Sequence, residues 1–103
     1  MDAVEERLYR QSRLCRLFGN PLAFSIVQVL GEKRDLSPSQ IARAVGRSPS
    51  RVSHVLAALR LAEVVRYETD GNRARYRLKH PGKTREILRT LSEFIDATAP
   101  SRR

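Results

Sequence analysis

Apolar residues recur at the three- and four-residue spacing of a helix face in the first part of the chain. Residues 3–18 combine this spacing with many charges, and Gly19 and Asn20 end the segment. Pro21 suits the first turn of a second helix, whose apolar residues are so dense that burial on most sides is expected. We predict that this second helix ends at Gly31.

Two further helix starts follow at a short distance. Ser37-Pro38 and Ser48-Pro49 each combine a capping residue with a proline of the first helical turn. The first pair predicts a short third helix that ends at Gly46, and the second pair predicts a fourth helix. Two helices joined by a tight turn that contains glycine are typical of a helix-turn-helix unit, which we place at residues 37–62.

The predicted fourth helix has two different faces. Its apolar residues share one face, at about 100° per residue, and should contact the core: Val52, Val55, Leu56 and Leu59. The opposite side has hydrogen-bonding and small side chains and no acidic residue: Ser50, Arg51, Ser53, His54 and Ala57. Small side chains allow close approach to DNA, and Ser, Arg and His can donate hydrogen bonds to phosphates or base edges. This side therefore indicates a recognition helix.

After the fourth helix the pattern changes to alternation. Residues 64–78 contain two β-prone segments around Asp70-Gly71-Asn72, which is a strong hairpin signal. In the second segment arginines alternate with Ala74, Tyr76 and Leu78, so one face of the hairpin should be core and the other basic. We interpret this hairpin as the wing of a winged helix-turn-helix domain.

A last helix is predicted at about residues 83–98, and residues 99–103 are expected to be a frayed tail. The helix has a wide apolar face that consists of Ile87, Leu88, Leu91, Phe94 and Ile95. A single domain of 103 residues has little surface to cover both this face and the apolar residues of the first helix. We therefore expect a homodimer through residues 1–18 and 83–98, although packing of both helices on the domain's own core stays an alternative.

The fold class predicted from these elements is mainly α with a small β-wing, in the order α-α-α-α-β-β-α. The formal net charge is +9, and residues 43–79 hold nine Lys and Arg against three Asp and Glu. Because this excess lies around one predicted unit, it indicates a polyanionic partner.

The N-terminal segment has no apolar signal-peptide core, and no uncharged run is long enough to span a membrane without a break. The one cysteine, Cys15, excludes a disulfide within the chain. We therefore expect a cytoplasmic protein with no membrane partner.

Together these features predict a sequence-specific regulator that binds double-stranded DNA. The candidate contacts lie on the third helix, the fourth helix and the wing: Gln40, Ser48, Ser50, Arg51, Ser53, His54, Asn72, Arg73 and Arg75. Two alternatives stay open. The first is an architectural protein that coats DNA with little sequence preference, and the second is a winged-helix adaptor whose basic face binds an acidic protein.

No catalytic arrangement is visible in the sequence. Ser53 and His54 are neighbours on a helix and point about 100° apart, so they cannot form a nucleophile and base pair with each other. Asp70-Gly71-Asn72 is explained as a turn, and there is no glycine-rich phosphate loop. We predict no enzymatic activity and no cofactor.

Over residues 14–78 the sequence resembles the ArsR/SmtB family of winged-helix repressors. Residues 17–30 are similar to the second helix of that family, residues 36–46 to its third helix, and residues 48–65 to its recognition helix. Two positions depart from the family pattern, since Glu63 stands where Gly is usual and Ala23 where Arg is common.

The resemblance implies a dimeric repressor on an inverted-repeat operator. Each recognition helix would enter one of two successive major grooves, and each wing would reach the flanking minor groove. Half-site centres should then lie about one helical turn apart.

The resemblance also indicates where metal-sensing sites of the family would lie. Ser37 and Ser39 occupy the positions of two metal-binding cysteines, and neutral hydroxyls bind soft metals poorly. His80 and Gly82 occupy the first two positions of the other site, and no later histidine follows. We therefore predict no metal site, and an unidentified small-molecule effector stays open. Cys15 is interpreted as a small buried hydrophobic residue rather than a redox switch.

Overall fold

The computed structural model describes residues 2–98 as five helices and one antiparallel hairpin of two strands. The elements are α1 (Ala3–Phe18), α2 (Pro21–Lys33), α3 (Pro38–Val45), α4 (Pro49–Leu61), β1 (Val65–Asp70), β2 (Arg73–Leu78) and α5 (Pro81–Thr98). This is the predicted order of elements, and the predicted bounds of the first helix are confirmed. The predicted frayed tail at residues 99–103 lies outside the described residues.

Side chains that cap the first turn set the start of α3 and of α4. Ser37 Oγ accepts a hydrogen bond from the Gln40 backbone N–H at 3.2 Å, and Gln40 Oε1 accepts one from the Ser37 N–H at 2.9 Å. Ser48 Oγ accepts from the Arg51 N–H at 3.3 Å. Gly46 ends α3 with a φ of 68°. The predicted starts of both helices and the predicted end of α3 are confirmed.

The predicted end of α2 is wrong. The helix continues past Gly31 to Lys33 and is followed by Arg34, whose φ is 77°. Gly31 lies inside the helix and faces α5, where an added Cβ would be 3.8 Å from Leu88 Cδ1. Since this glycine lies where two helices pack, its presence does not mark a helix end.

The predicted start of α5 is also displaced. The helix begins at Pro81, two residues before the position expected from the apolar pattern. The Thr84 N–H donates to the His80 carbonyl at 2.9 Å, which closes the first turn around the proline. A proline at the first helical position is therefore part of the helix rather than of the preceding loop.

The core lies between α2, α3, α4 and the base of the hairpin. Its buried apolar residues are Leu22, Ala23, Ile26, Val27, Leu30, Ile41, Ala42, Val52, Leu56, Leu59, Val64, Val65 and Leu78. The predicted core face of α4 is confirmed, with Val55 partly buried beside the other three. α1 buries none of its residues, and only Leu14, Leu17 and Phe18 at its C-terminal end pack against the core.

The two strands of the predicted hairpin pair in a regular antiparallel register. Val65 lies opposite Leu78 at the buried base, and Asp70 lies opposite Arg73 at the tip. Gly71-Asn72 connects the strands, and Gly71 has a φ of 64°, which glycine adopts without a steric penalty.

The second strand also pairs with the linker between α2 and α3. The Leu36 N–H donates to the Tyr76 carbonyl at 3.0 Å, and the Tyr76 N–H donates to the Leu36 carbonyl at 2.8 Å. β2 therefore lies between β1 on one edge and this linker on the other. The wing is in this way joined to the chain segment that leads into the helix-turn-helix unit.

The first two helices meet at a bend of 86°. No single helix within residues 2–98 is long and apolar enough to cross a membrane, and α1 and α2 have that length and composition only when taken together.

Candidate nucleic-acid interface

α4 separates a buried face from an exposed one. Its apolar face packs into the core, while the side predicted to face DNA is exposed at each of its positions: Ser50, Arg51, Ser53, His54 and Ala57. The predicted division of the helix is therefore confirmed, and DNA contact by the exposed side stays a prediction.

The N-terminal end of α4 is rich in hydrogen-bond donors and positive charge. Its first turn contains no acidic residue, and the free N–H groups and helix dipole of a first turn attract anions. Arg47 lies exposed just before this turn, and its Nη1 donates to the Gly46 carbonyl at 3.3 Å. The sequence prediction omitted Arg47, although its position directly before the capping residue of the recognition helix could have indicated it.

Two predicted contact residues have a structural role as well. Gln40 and Ser48 are exposed, but a side-chain oxygen of each already accepts a backbone hydrogen bond in a helix cap. Gln40 keeps its amide nitrogen as a donor. Gln40 can therefore still approach a phosphate or a base edge, whereas Ser48 mainly holds the start of α4.

The wing has an arginine without an ion pair at its tip and ion-paired arginines along its flank. Glu68 Oε2 accepts a hydrogen bond from Arg77 Nη2 at 2.9 Å and lies 3.4 Å from Arg66 Nη2. Asn72 and Arg73 are exposed at the tip, where Asp70 lies opposite Arg73, and Arg73 forms no ion pair with any other described residue. The expected basic face is therefore partly neutralised by acidic residues of the same hairpin.

Arg75, the third predicted wing contact, is directed towards the α2–α3 linker. Its Nη2 donates to the Asp35 carbonyl at 2.9 Å, and its Nε lies 3.4 Å from Asp35 Oδ1. The structure thus separates Arg75 from the two tip residues that were predicted together with it.

An aromatic pair joins the base of the wing to the C-terminal end of α4. The rings of Tyr67 and Tyr76 lie 5.2 Å apart between centroids, and the Arg60 guanidinium stacks 4.7 Å from the Tyr67 centroid. Burial raises the pKa of the Tyr76 hydroxyl, an effect that the nearby Arg60 partly opposes. These contacts fix the wing against the recognition helix.

The chain passes from α4 to β1 through a residue in a left-handed conformation. Glu63 has a φ of 67°, and its carboxylate is paired with the Lys79 ammonium at the end of β2. The hydrogen bond and charge of Lys79 hold the pKa of Glu63 below its usual value. Glu63 keeps this conformation although glycine is usual there in the family that the sequence resembles.

Residues 20–67, which contain α2, the helix-turn-helix unit and the start of the wing, match the family model described as "Bacterial regulatory protein, arsR family". This segment of the chain is similar to the ArsR family. No protein of curated function matches its sequence.

Solved structures share the fold of this chain over most of its length. The homodimeric winged helix-turn-helix domain of a possible ArsR-family transcriptional regulator from Mycobacterium bovis has a TM-score of 0.82, at 19% identity over 99% of this chain and 96% of that one. NolR from Sinorhizobium fredii has a TM-score of 0.79, at 24% identity over 91% and 93% of the two chains. The transcriptional repressor PagR of Bacillus anthracis has 0.73, at 24% identity over 84% and 98%. The predicted winged helix-turn-helix fold is confirmed.

Other side chains occupy the positions at which the resemblance places metal sites. The Ser37 and Ser39 hydroxyls lie 3.3 Å apart, and that of Ser37 also caps α3. Within residues 2–98, no group of three or more His, Cys, Asp or Glu side chains is placed to hold a metal ion.

The interpretation of Cys15 as a buried residue is wrong for the single chain. Cys15 is a free, exposed thiol on α1. The reason is the orientation of α1, which touches the core only through Leu14, Leu17 and Phe18 near its end. Cys15 lies on the same side of the helix as Leu8, seven residues earlier. Leu8 is exposed, so this side of α1 does not face the core.

Both terminal helices expose large apolar side chains. On α1 these are Val4, Leu8 and Tyr9, and on α5 they are Ile87, Leu91, Phe94 and Ile95. Leu61 at the end of α4 is 79% exposed. The alternative in which the domain's own core covers both helices is therefore wrong.

A cavity of about 960 Å³ opens between α1 and the C-terminal end of α4. Arg7, Arg10 and Arg13 line it together with the apolar Leu14 and Leu17. The carboxylates of Glu6 and Glu63 also line it, so the lining does not select one class of ligand, and a small-molecule effector stays open.

Proposed function

We propose that this chain is a dimeric transcriptional regulator, and specifically a repressor, that binds an inverted-repeat operator in double-stranded DNA. The observation that carries the proposal is the exposed face of α4, which contains no acidic residue. The opposite face of the helix is apolar and buried, and the N-terminal end of the helix is basic. A helix of this kind fits the major groove and can donate hydrogen bonds to base edges and phosphates.

In this proposal the residues of α4 divide between bases and phosphates. Those that approach base edges lie in the first two turns of α4: Ser50, Arg51, Ser53 and His54. Arg47 and the Ser50 N–H bind a phosphate, while Ser48 holds the turn in place by accepting the Arg51 N–H. Gln40 supports them from α3 through its amide nitrogen.

The tip of the wing supplies a second contact on the flank of each half-site. Asn72 and Arg73 lie at the two-residue turn, and Arg73 is free of ion pairs among the described residues. A narrow minor groove concentrates negative potential and attracts an arginine of this kind. Arg75 is not included, since Asp35 engages its guanidinium.

A homodimer accounts for the exposed apolar faces of α1 and α5. Exposed patches of this kind mark association surfaces, and a two-fold dimer would present two recognition helices about 34–36 Å apart, one turn of DNA. The domain from Mycobacterium bovis with the same fold is a homodimer, which supports this arrangement.

The test is selection of bound sequences from a random duplex library, with competitor DNA at near-physiological salt. An enriched inverted repeat with half-sites one turn apart is expected. Retention without enrichment would favour the architectural alternative, and no retention would favour the adaptor that binds an acidic protein.

The direction of regulation requires a second measurement. Transcription from a promoter that carries the enriched repeat should fall when the protein is added in vitro. A rise in transcription would contradict the repressor assignment while leaving operator binding intact.

A further inference from the structure

The linker between α2 and α3 contains a strained turn. Arg34 has φ 77° and ψ −64°, and the Asp35 N–H donates to the Lys33 carbonyl at 3.0 Å. These are the angles and the hydrogen bond of a classic γ-turn, which is rare and costly. A residue in such a conformation persists only where surrounding contacts hold it.

The Arg34 N–H donates to the Leu30 carbonyl of α2 at 3.0 Å, and the residues that follow the turn are held by contacts from the wing. Leu36 forms two backbone hydrogen bonds with Tyr76, and Asp35 contacts Arg75 through both its carbonyl and its carboxylate. The Arg75 side chain is 26% exposed, against 52% for Arg66 and 47% for Arg77. Arg75 is therefore the most enclosed of the ion-paired arginines of the hairpin.

An isolated hairpin of two strands is marginally stable, so its orientation depends on what it is attached to. One attachment is the stack of Arg60 on Tyr67, which joins the β1 side to α4. A second side-chain attachment is the pair of Asp35 with Arg75, which acts beside the Leu36–Tyr76 backbone hydrogen bonds and joins the β2 side to the linker before α3. The two attachments lie on different strands, and both lead to the helix-turn-helix unit.

We propose that the Asp35–Arg75 pair is a clamp that sets the orientation of the wing, and that Arg75 acts as a positioning residue rather than as a DNA contact. This inference rests on the proposed function, in which the wing tip binds DNA beside α4. With the clamp closed, Arg73 lies where it can reach the flanking groove. With the clamp open, the tip samples other orientations and the contact is weakened.

Replacement of Asp35 distinguishes the clamp from a direct contact between Arg75 and a DNA phosphate. If Arg75 bound a phosphate, Asp35→Asn would remove a negative charge and free the guanidinium, so DNA binding would become tighter. If the pair is a clamp, Asp35→Asn and Arg75→Ala should both weaken binding, by about two- to fivefold for a partly exposed pair. The double variant should lose no more than either single variant.

The dependence of binding on salt gives a second distinction. Loss of one phosphate contact lowers the slope of log K against log salt by about one. Arg73→Ala should lower the slope, and adding Arg75→Ala to that variant should leave the slope unchanged, whereas a direct phosphate contact by Arg75 would lower it by about one more. Arg75→Lys keeps the charge but not the geometry of the pair, so it should behave like Arg75→Ala.

A measurement without DNA tests the clamp on its own. Amide hydrogen exchange at Leu36 and Tyr76 should be faster in Asp35→Asn than in the wild type, while exchange at Val52 in α4 should be unchanged. Unchanged exchange at Leu36 and Tyr76 would overturn the clamp, as would tighter DNA binding by Asp35→Asn. If the wild-type protein bound no DNA, the proposed function would fail, and the exchange result would still decide whether the clamp exists.

Discussion

Arg51 is the single side chain on which operator binding should depend most. It is exposed in the first turn of α4, and its guanidinium has no partner among the described side chains. Arg51→Ala should reduce operator affinity by about 1 kcal/mol or more, which is at least fivefold, with little change in melting temperature. The measurement is a DNA titration together with thermal unfolding.

Arg89→Ala is the matched control for this variant. Arg89 is an exposed arginine on the side of α5 away from the apolar residues, and it should affect neither property. A large fall in melting temperature for Arg51→Ala would show that Arg51 supports the fold instead.

The left-handed conformation of Glu63 should be measurable as a backbone cost. Glu63→Gly and Glu63→Gln both remove the carboxylate that pairs with Lys79, but only glycine adopts a φ of 67° freely. We expect the glycine variant to exceed the glutamine variant in free energy of unfolding by about 1 kcal/mol. Equal values in urea unfolding would mean that this backbone conformation costs nothing.

The same pair predicts a dependence of stability on pH. Lys79 lowers the pKa of Glu63 in the folded chain below its ordinary value of 4.5. The stabilisation is therefore present above that value and is lost as the pH falls through the lower folded pKa. Melting temperatures of the wild type and Glu63→Gln should differ at neutral pH and converge well below 4.5. A difference that persisted in acid would assign the effect to something other than this carboxylate.

At the scale of the element, α4 offers a comparison between two leucines of opposite environment. Leu56 is fully buried, and Leu61 near the end of the same helix is 79% exposed. Leu56→Ala should cost about 2–5 kcal/mol of stability, because it leaves a cavity in the core. Leu61→Ala should cost far less in the single chain. Similar losses in denaturant unfolding would contradict the orientation of α4.

The sequence predicted those parts of the elements that depend on neighbouring residues. Ser37 and Ser48 cap helices through contacts three residues away, and the hairpin register follows from its two-residue turn. Gly31 misled the prediction because its role is set by the packing of α5, which lies far along the chain.

In the candidate site as well, features set by local contacts could be predicted from the sequence, and features set by distant contacts could not. The exposed face of α4 follows from helical periodicity, so the sequence located it. The partner of Arg75 lies 40 residues earlier in the chain, and no spacing rule connects the two. The exposure of Cys15 depends on how α1 packs, which periodicity alone does not determine.

At the scale of the whole molecule, the apolar face of α5 should control association. Phe94 is 65% exposed in the single chain, so Phe94→Glu should leave the domain folded. A charge at this position should convert the dimer to a monomer in analytical ultracentrifugation and weaken operator binding, since two half-sites then bind independently.

Arg89→Glu places the same carboxylate on the opposite side of the helix and should leave the dimer intact. If Phe94→Glu remained dimeric, the interface would lie elsewhere. The exposed residues of α1 would then be the next positions to test.

α1 buries none of its residues within one chain, although it forms sixteen residues of regular helix. An unsupported helix of this length is marginal in water, so its order would depend on a partner chain. Occupancy of the operator would then rise with the square of the subunit concentration wherever monomers predominate. A modest change in the amount of protein could therefore produce a large change in transcription from the operator.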